Sequence, residues 1–476
     1  MRQELTPAER SELAQVFPGG DSARALLANA GFPLEHIPLG SSTAASFWAA
    51  VSTALGDGIL LNGRARLLAA ARELYPANDV FAPAARAGTG GPEALENPSG
   101  PVGGEPPLDF ELRNAELVVH LFAPADGPRA ASAYAVLSSA WEGCRSALAM
   151  RSPVPSLRVP TVPPAALSDV RLNGFLAAAR RTGDGVLEAV LRRDHDLVHL
   201  SVMLAPADVG PFDWSALDAL WDRAVGAASA DLLGAVRVYQ GKVAPGAADG
   251  SVEASAALAR GCREALPVGS RGNGWEEHGT TTGSGFAVWD LDGADGKVER
   301  RIVVLATADR DRDLSHYTWA RADQAVPHLT VYLANAARIR YHHRVRTEAP
   351  PMARLRDRMD DDIDRLGSAL MRSGQAGPDV RTELARLAVT ELRLTKTKRK
   401  HDDMRGSVQT AVENLGKVLR EDGSAAGTTD LFAADLRLAA DLMAQLDHDG
   451  AFLARAMGQM ASARSLAAGV KDAFNT

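Results

Sequence analysis

Two segments of the sequence, LVVHLFAPAD at residues 117–126 and LVHLSVMLAPAD at residues 197–208, share an apolar run that ends in Ala-Pro-Ala-Asp. A short apolar run rich in β-branched residues predicts a buried strand, and proline ends it because proline has no N–H for the ladder. After each segment a Leu and a Trp stand four residues apart, Leu137 with Trp141 and Leu217 with Trp221, which places both on one helical face. The sequence therefore predicts two strands of one sheet, each followed by a helix fixed to that sheet by a tryptophan.

The region around these segments, residues 112–320, is expected to be α+β. A third strand is predicted over residues 232–239, and a hairpin is predicted between residues 285–289 and 301–306, across the Asp-Gly turn at residues 292–296. Residues 172–179 are expected to be helical, whereas residues 186–191 fit a strand or a helix equally well. This order of elements predicts one or two ferredoxin-like sheets.

Composition limits the class of protein. The chain has 476 residues, which predicts more than one domain, and its 23% charged and 46% hydrophobic residues are typical of soluble globular proteins. A formal net charge of -7 argues against a general or sequence-specific nucleic-acid binder. Cys144 and Cys262 lack metal-type spacing and are expected to be reduced thiols of a cytoplasmic protein. We expect no cofactor, no signal peptide and no transmembrane span.

The N-terminal segment, residues 1–81, is expected to be a small all-α bundle. Thr6 to Glu9 form a capping box with Pro7 at the first helical position, and later helices are expected to end at glycine or proline. Phe17, Trp48 and Tyr75 are the predicted aromatic core. Residues 82–111 are rich in proline and glycine and predict a flexible linker.

This bundle resembles the effector-associated domains of bacterial conflict systems. The resemblance rests on Phe17-Pro18, on Leu26-Leu27-x-x-Ala30-Gly31, on Phe47-Trp48, and on Tyr75-Pro76-x-Asn78 with Phe81 after it. It implies a death-fold-like adaptor that recruits an effector by pairing with a like domain on another polypeptide.

The α+β region resembles the CATRA proteins, which are named for association with caspases and TPR repeats. The matching residues are 117–124, Trp141-x-x-Cys144-Arg145, and Leu191-Arg192-Arg193-x-His195-Asp196. The resemblance implies a component of a bacterial conflict system, such as anti-phage defense. The implied partners are a caspase-like or other protease effector with a like helical domain, and a TPR or small companion protein. It supplies no catalytic mechanism.

The last segment, residues 321–476, predicts a bundle or coiled coil of long helices, with breaks at residues 374–378 and 423–427. Apolar residues recur at heptad-like spacing, and they form a candidate assembly seam: Leu384, Leu387, Leu394, Val408, Val412, Leu415 and Leu419. We expect a homo-oligomer built on this seam, although a bundle closed within one chain fits the pattern equally well.

Few residues in the sequence are candidates for catalysis or ligand binding. His120, His195 and His199 lie in or beside the predicted strands and are expected to be hydrogen-bonded structural residues rather than catalysts. The Gly-rich loop at residues 269–285 lacks the Lys-Ser/Thr pair of a P-loop; with Arg271, His278, Asp309 and Asp311 it is a candidate ligand loop.

The leading interpretation is a non-enzymatic scaffold or sensor with no catalytic or metal site. A nucleotide-signal binder or enzyme that uses this loop is one alternative. A membrane-acting effector that uses the C-terminal helices is the other.

Overall fold

The computed structural model describes residues 5–17, 20–30, 32–33, 44–56, 59–60, 63–74, 80, 112–169, 173–207, 213–243, 250–270, 274–293, 297–321, 324–350, 352–373, 378–424 and 430–473. The chain divides into two compact units, Met1–Val102 and Gly103–Thr476. The whole of the predicted linker, residues 82–111, falls outside these ranges, as do Tyr75 and Phe81.

The N-terminal unit consists of helices α1 (Pro7–Val16), α2 (Gly20–Asn29), α3 (Ala44–Gly56) and α4 (Gly63–Leu74). The predicted capping box is confirmed, because the Thr6 side chain accepts from the Glu9 N–H and the Glu9 carboxylate accepts from the Thr6 N–H. Trp48 is fully buried and donates from Nε1 to the carbonyl oxygen of Phe17 at 3.3 Å. Phe17 and Phe47 meet the Trp48 ring edge-on, so this unit has its own aromatic core.

A mixed sheet, with nine strands in the described residues, forms the middle of the second unit. Its order is β2-β3-β4-β5-β1-β6-β9-β8-β7, and neighbours are antiparallel except for the parallel pair of β6 and β9. The strands are β1 (Arg113–Pro124), β2 (Ser152–Pro153), β3 (Gly174–Arg180), β4 (Gly185–Asp194), β5 (Leu197–Pro206), β6 (Gly234–Val243), β7 (Thr280–Thr281), β8 (Ala287–Asp290) and β9 (Glu299–Thr307).

The two related segments are strands of one sheet, as predicted, and they lie next to each other in it. They form β1 and β5, which pair antiparallel with Val119 opposite Val202. Each precedes a helix, α5 (Ala130–Ser146) after β1 and α6 (Trp214–Ala224) after β5. Trp141 and Trp221 are buried in the same core as Leu117 and Leu200, so both tryptophans fix their helices to one face of the sheet.

Other strand predictions have mixed outcomes. The hairpin of β8 and β9 is confirmed, and the undecided residues 186–191 lie in β4. The helix predicted over residues 172–179 is wrong, because Gly174–Arg180 is strand β3, paired with β4. Alanine favours helices by local propensity, but here Ala177, Ala178 and Ala179 are buried in the ladder, and tertiary pairing overrides that propensity.

Helices cover both faces of the sheet. Helix α7 (Ala256–Cys262) joins α5 and α6 on the first face. The opposite face packs against α8 (Asp311–Thr318), α9 (His328–Glu348), and parts of α11 (Pro378–Asp422) and α12 (Leu431–Ala473). Helix α10 (Met352–Ser373) packs on α11 and α12 in a separate apolar cluster.

A buried ion cluster connects the second face to these helices. Arg300 of β9 bonds to Asp290 of β8 and to Asp435 of α12, both at 2.7 Å. Arg340 of α9 bonds to Asp435 at 2.9 Å, and the Tyr332 hydroxyl donates to the same carboxylate at 2.8 Å. All five side chains are buried. Buried ion pairs and a hydrogen bond therefore link strands β8 and β9 to helices α9 and α12, which are distant in sequence.

The predicted assembly seam packs inside the chain. Val408, Leu415 and Leu419 lie in the core between the sheet, α9 and α12, while Leu387 and Leu394 lie in the cluster with α10 and α12. Leu384 and Val412 are half-buried against these same clusters. The seam therefore gives a homo-oligomer no support, and a homo-oligomer stays a prediction.

Candidate functional site

The second unit contains a cleft of about 860 Å³, the α9–α11 cleft. Its walls are the turn between β4 and β5 at residues 194–197, the segment before α9, helix α9 from His328 to Arg338, and helix α11 from Gly406 to Glu421. Cavities of a few hundred to about 1,000 Å³ are the usual size of ligand sites. The cleft is therefore the candidate functional site.

Helices α9 and α11 form the two long walls and run antiparallel. Asn414 donates from Nδ2 to the Asn335 side-chain oxygen at 3.3 Å, and Ser407 Oγ lies 2.9 Å from His342 Nε2. The contact later in α9 (His342) is made to the residue earlier in α11 (Ser407), which is the register of two antiparallel helices. Both helices turn apolar side chains such as Leu333 and Leu415 toward the sheet, which leaves their polar flanks to line the cleft.

His199, at the start of β5, lines the cleft on its sheet side. Its exposed fraction is only 5%, and neither ring nitrogen has a hydrogen-bond partner. The ring stacks on Phe122 with centroids 6.2 Å apart. Burial, with smaller contributions from the neighbouring His120 and Arg192, lowers the pKa of His199 to about 3. The ring is thus neutral at pH 7, with one donor and one acceptor unused.

His120, unlike His199, has a hydrogen-bond partner for each ring nitrogen. It also stacks on Phe122, with ring centroids 6.0 Å apart, and is fully buried, but its Nδ1 lies 2.8 Å from Ser201 Oγ and its Nε2 lies 3.2 Å from the carbonyl oxygen of Thr318. The prediction of a hydrogen-bonded structural histidine is confirmed for His120. It is wrong for His199, because no partner side chain or carbonyl reaches that ring.

Charged side chains lie at both ends of the cleft. Arg338 bonds to Asp196 at 2.9 Å, and Lys417 lies 3.8 Å from Glu421. Basic and acidic side chains are equal in number along the lining: Arg321, Arg338 and Lys417 against Asp194, Asp196 and Glu421. With histidine neutral, the formal charge of the lining is zero.

His195 lies at the tip of the turn between β4 and β5. It is exposed, has a positive φ of 54°, and places Nδ1 3.3 Å from Asp194. The neighbouring carboxylate of Asp196 bonds to Arg338. The turn is therefore polar and exposed at its tip.

The predicted ligand loop is not part of this cleft. His278, Asp309 and Asp311 are exposed and do not line it, and Arg271 lies outside the described residues. The Asp311 carboxylate pairs with Lys242.

The loop instead contacts the end of α11. The Gly283 N–H donates to Ser424 Oγ at 2.8 Å, and Ser284 Oγ donates to Asp422. Arg310 donates from Nη1 to the carbonyl oxygen of Ser284 at 2.6 Å. The loop therefore connects the sheet to α11. The cleft is lined instead by His199, for which the sequence predicted a structural role, and by Asn335 and Asn414, which no sequence motif indicated.

Two other features, a metal site and a membrane-spanning helix, are absent from the described ranges. These ranges contain no group of three or more His, Cys, Asp or Glu side chains placed to hold a metal ion. Within the same ranges, no helix has both the length and the apolar character that a membrane crossing requires.

Comparison with known protein families gives three matches. The model described as the CASPASE and TPR Repeat-Associated N-terminal domain matches residues 116–322, and that of the corresponding C-terminal domain matches residues 327–459. The model of effector-associated domain 1 matches residues 3–88. No curated protein and no solved structure matches the chain. The α9–α11 cleft lies where the first two matched regions meet.

Proposed function

We propose that this chain, which belongs to the CATRA family and carries an effector-associated domain at its N-terminus, is a non-enzymatic scaffold and sensor of a bacterial conflict system. Its N-terminal unit recruits a protease-type effector by pairing with a like domain on that protein. Its second unit, which comprises the sheet and the long helices, responds to the trigger.

The observation that carries this proposal is the independence of the N-terminal unit. The effector-associated match, residues 3–88, falls inside the compact unit Met1–Val102. That unit has its own apolar core around Trp48 and Leu27, and an ion pair between the half-buried Arg64 and the buried Glu9 joins α4 to α1. A domain with its own core can bind a partner without rearranging the rest of the chain.

The arrangement of the sheet supports a ferredoxin-like assignment for its first half. Strands β4-β5-β1-β6 are adjacent in that order and antiparallel. If the edge strands β2 and β3, which lie between α5 and β4 in the chain, are set aside, the remaining elements form a β-α-β-β-α-β series with α5 and α6 on one face, which is the pattern of that fold. The remaining strands extend this sheet at both edges.

Deleting residues 1–102 is expected to abolish co-purification with a caspase-like protease that carries an effector-associated domain. The partner is co-expressed with its nucleophilic cysteine replaced, so that neither protein is cleaved. Recovery should fall to the level of a bead-only control, since the pairing surface is gone.

The control is the thermal unfolding of the remaining residues 103–476, which should keep the main transition of the full chain. Equal recovery of the protease by the shortened, folded chain would place recruitment in the second unit and contradict the proposal.

A further inference from the structure

Helix α10 has an exposed face that runs from acidic to apolar. Met359 and Leu366 are buried against α11 and α12, so the opposite side of α10 is open to solvent. Residues on that side recur every three or four positions, which places them along one line of the helix surface. We call this line the α10 face, and all its members are exposed: Asp360, Asp361, Asp364, Gly367, Ser368 and Met371.

Helix α11 has an exposed face that runs from apolar to basic. Leu387 and Leu394 of the predicted seam are buried toward α10 and α12, and the opposite side is again open to solvent. We call this line the α11 face, and its members are Val389, Leu392, Lys396, Arg399 and Lys400. Two large apolar side chains are more than half exposed on it, since the exposed fractions of Val389 and Leu392 are 52% and 55%.

Most charges of the two faces are not neutralised inside the chain. Among the residues that the structure describes, Asp360 and Asp364 of α10 form no ion pair, and neither do Lys396 and Lys400 of α11. By contrast, Lys398 between these two lysines bonds to a carboxylate of its own helix. The four unpaired charges are therefore available to a binding partner.

The two faces are complementary when the helices run antiparallel. Met371 and Asp360 lie eleven positions apart, as do Val389 and Lys400, and each pair spans about 17 Å of helix. Antiparallel alignment of these spans gives three matched pairs: Met371 with Val389, Asp364 with Lys396, and Asp360 with Lys400. One pair is apolar and the other two join opposite charges. A parallel alignment would instead set the acidic end of one face against the apolar end of the other.

The next charged residues limit the contact to these three helical turns. One turn beyond the matched span, the exposed Asp357 of α10 would meet the exposed Asp403 of α11. Like charges oppose each other, so the helices gain nothing by extending the contact or by shifting it in that direction.

The two faces of one chain are not in a position to meet each other. Helices α10 and α11 already pack together through their buried sides, where the Thr390 hydroxyl donates to Asp362 at 2.6 Å. Both faces are turned away from that contact and toward solvent. A second copy of this chain supplies the complementary face to each of them.

We propose that copies of this chain associate by docking the α10 face of one copy, antiparallel, on the α11 face of the next. Because the two faces differ, the contact is heterologous and continues into a ring or a filament. A contact of three turns is smaller than the standard interface of roughly 1,200–2,000 Å², and salt screens exposed charges. Association should therefore be weak, concentration-dependent and sensitive to salt.

This inference goes beyond effector recruitment, which one chain could perform alone. An assembly of this kind would hold several effector-associated domains together.

The test reverses the charges of one face at a time in the full-length chain. Asp360→Lys/Asp364→Lys changes the α10 face, and Lys396→Glu/Lys400→Glu changes the α11 face. All four side chains are exposed, so both variants should keep the thermal transitions of the wild type. Sedimentation velocity over a range of concentrations at low salt measures the mass.

The mass of the wild type should rise with concentration, and each variant alone should lose this rise because its two faces then carry like charges. An equal mixture of the variants should recover the rise. In that mixture the reversed α10 face of one variant meets the reversed α11 face of the other, and the two unchanged faces also match.

Two charge reversals on α12 serve as controls. Arg455→Glu and Asp441→Lys change exposed residues that lie outside both faces, and they should leave the rise unchanged.

Three results would overturn the proposal. The first is a wild-type mass that stays constant with concentration. The second is a rise that persists in either variant alone, which would place self-association elsewhere in the chain. The third is a mixture that behaves as the separate variants do.

Vesicles that contain phosphatidylserine test a different occupant, because exposed apolar and basic side chains together also suit an anionic lipid surface. A wild type of constant mass that binds these vesicles, with binding lost only in the α11-face variant, would make that face a membrane contact instead. No protease is present in either experiment, so failure here is distinct from failure of effector recruitment.

Discussion

Replacing Asp435 by asparagine is expected to lower the free energy of unfolding of the second unit by about 3–5 kcal/mol, the cost of removing one partner from a buried ion pair. Asp435 accepts bonds from Arg300 and Arg340 and from the Tyr332 hydroxyl. Without the Asp435 charge, the carboxylate of Asp290 faces two buried guanidinium groups. The measurement is chemical denaturation of the variant and the wild type at pH 7.

The ion pairs of Asp435 with Arg300 and Arg340 also predict that the free energy of unfolding depends on pH. Burial acts to raise the pKa of Asp435, but the positive charges of Arg300 and Arg340 outweigh it and hold the pKa below its ordinary value. A carboxyl group with a lowered folded-state pKa stabilises the fold above the unfolded pKa of about 3.9, and this contribution is lost as the pH falls through the folded pKa. The stability gap between wild type and Asp435→Asn should therefore shrink in acid.

Asp441→Asn is the control, because Asp441 lies exposed on the same helix. Its unfolding curve should match the wild type. If Asp435→Asn were as stable as this control at pH 7, the buried cluster would not be needed to hold α12 against the sheet.

Replacing Trp48 by alanine is expected to unfold the N-terminal unit. Trp48 is fully buried, makes edge contacts with Phe17 and Phe47, and bonds to the Phe17 carbonyl. Loss of a buried tryptophan typically costs about 3–5 kcal/mol, which is much of the stability of a domain this small. Circular dichroism of residues 1–102, alone and with the substitution, measures the effect.

Thr53→Ala provides the comparison on the same helix, since the Thr53 side chain is exposed and bonds only to the Ala49 carbonyl. It should retain the cooperative transition of the wild-type segment. A wild-type segment that is itself disordered would show that the unit depends on the rest of the chain, and a cooperative Trp48→Ala variant would show that the aromatic core is dispensable.

Local patterns in the sequence were sufficient to predict much of the fold. The related segments at β1 and β5 are predictable because a β-branched run ended by proline has few other conformations. The start of α1 is predictable because the Thr6–Glu9 box satisfies backbone groups only three residues apart. The breaks between α10, α11 and α12 occur at the predicted glycine and proline positions. Each of these signals acts within a few residues.

Tertiary structure alone decided the rest. An apolar stripe requires burial but does not specify its partner, because the hydrophobic effect is non-directional; Leu387, Leu394 and Leu415 are thus buried within the chain although the sequence fits an interface equally well. Strand pairing made β3 from an alanine-rich segment that local propensity assigns to a helix. The α9–α11 cleft brings His199 beside residues more than a hundred positions away, and whether a buried histidine has a partner depends on which backbone and side-chain groups the folded chain places around it.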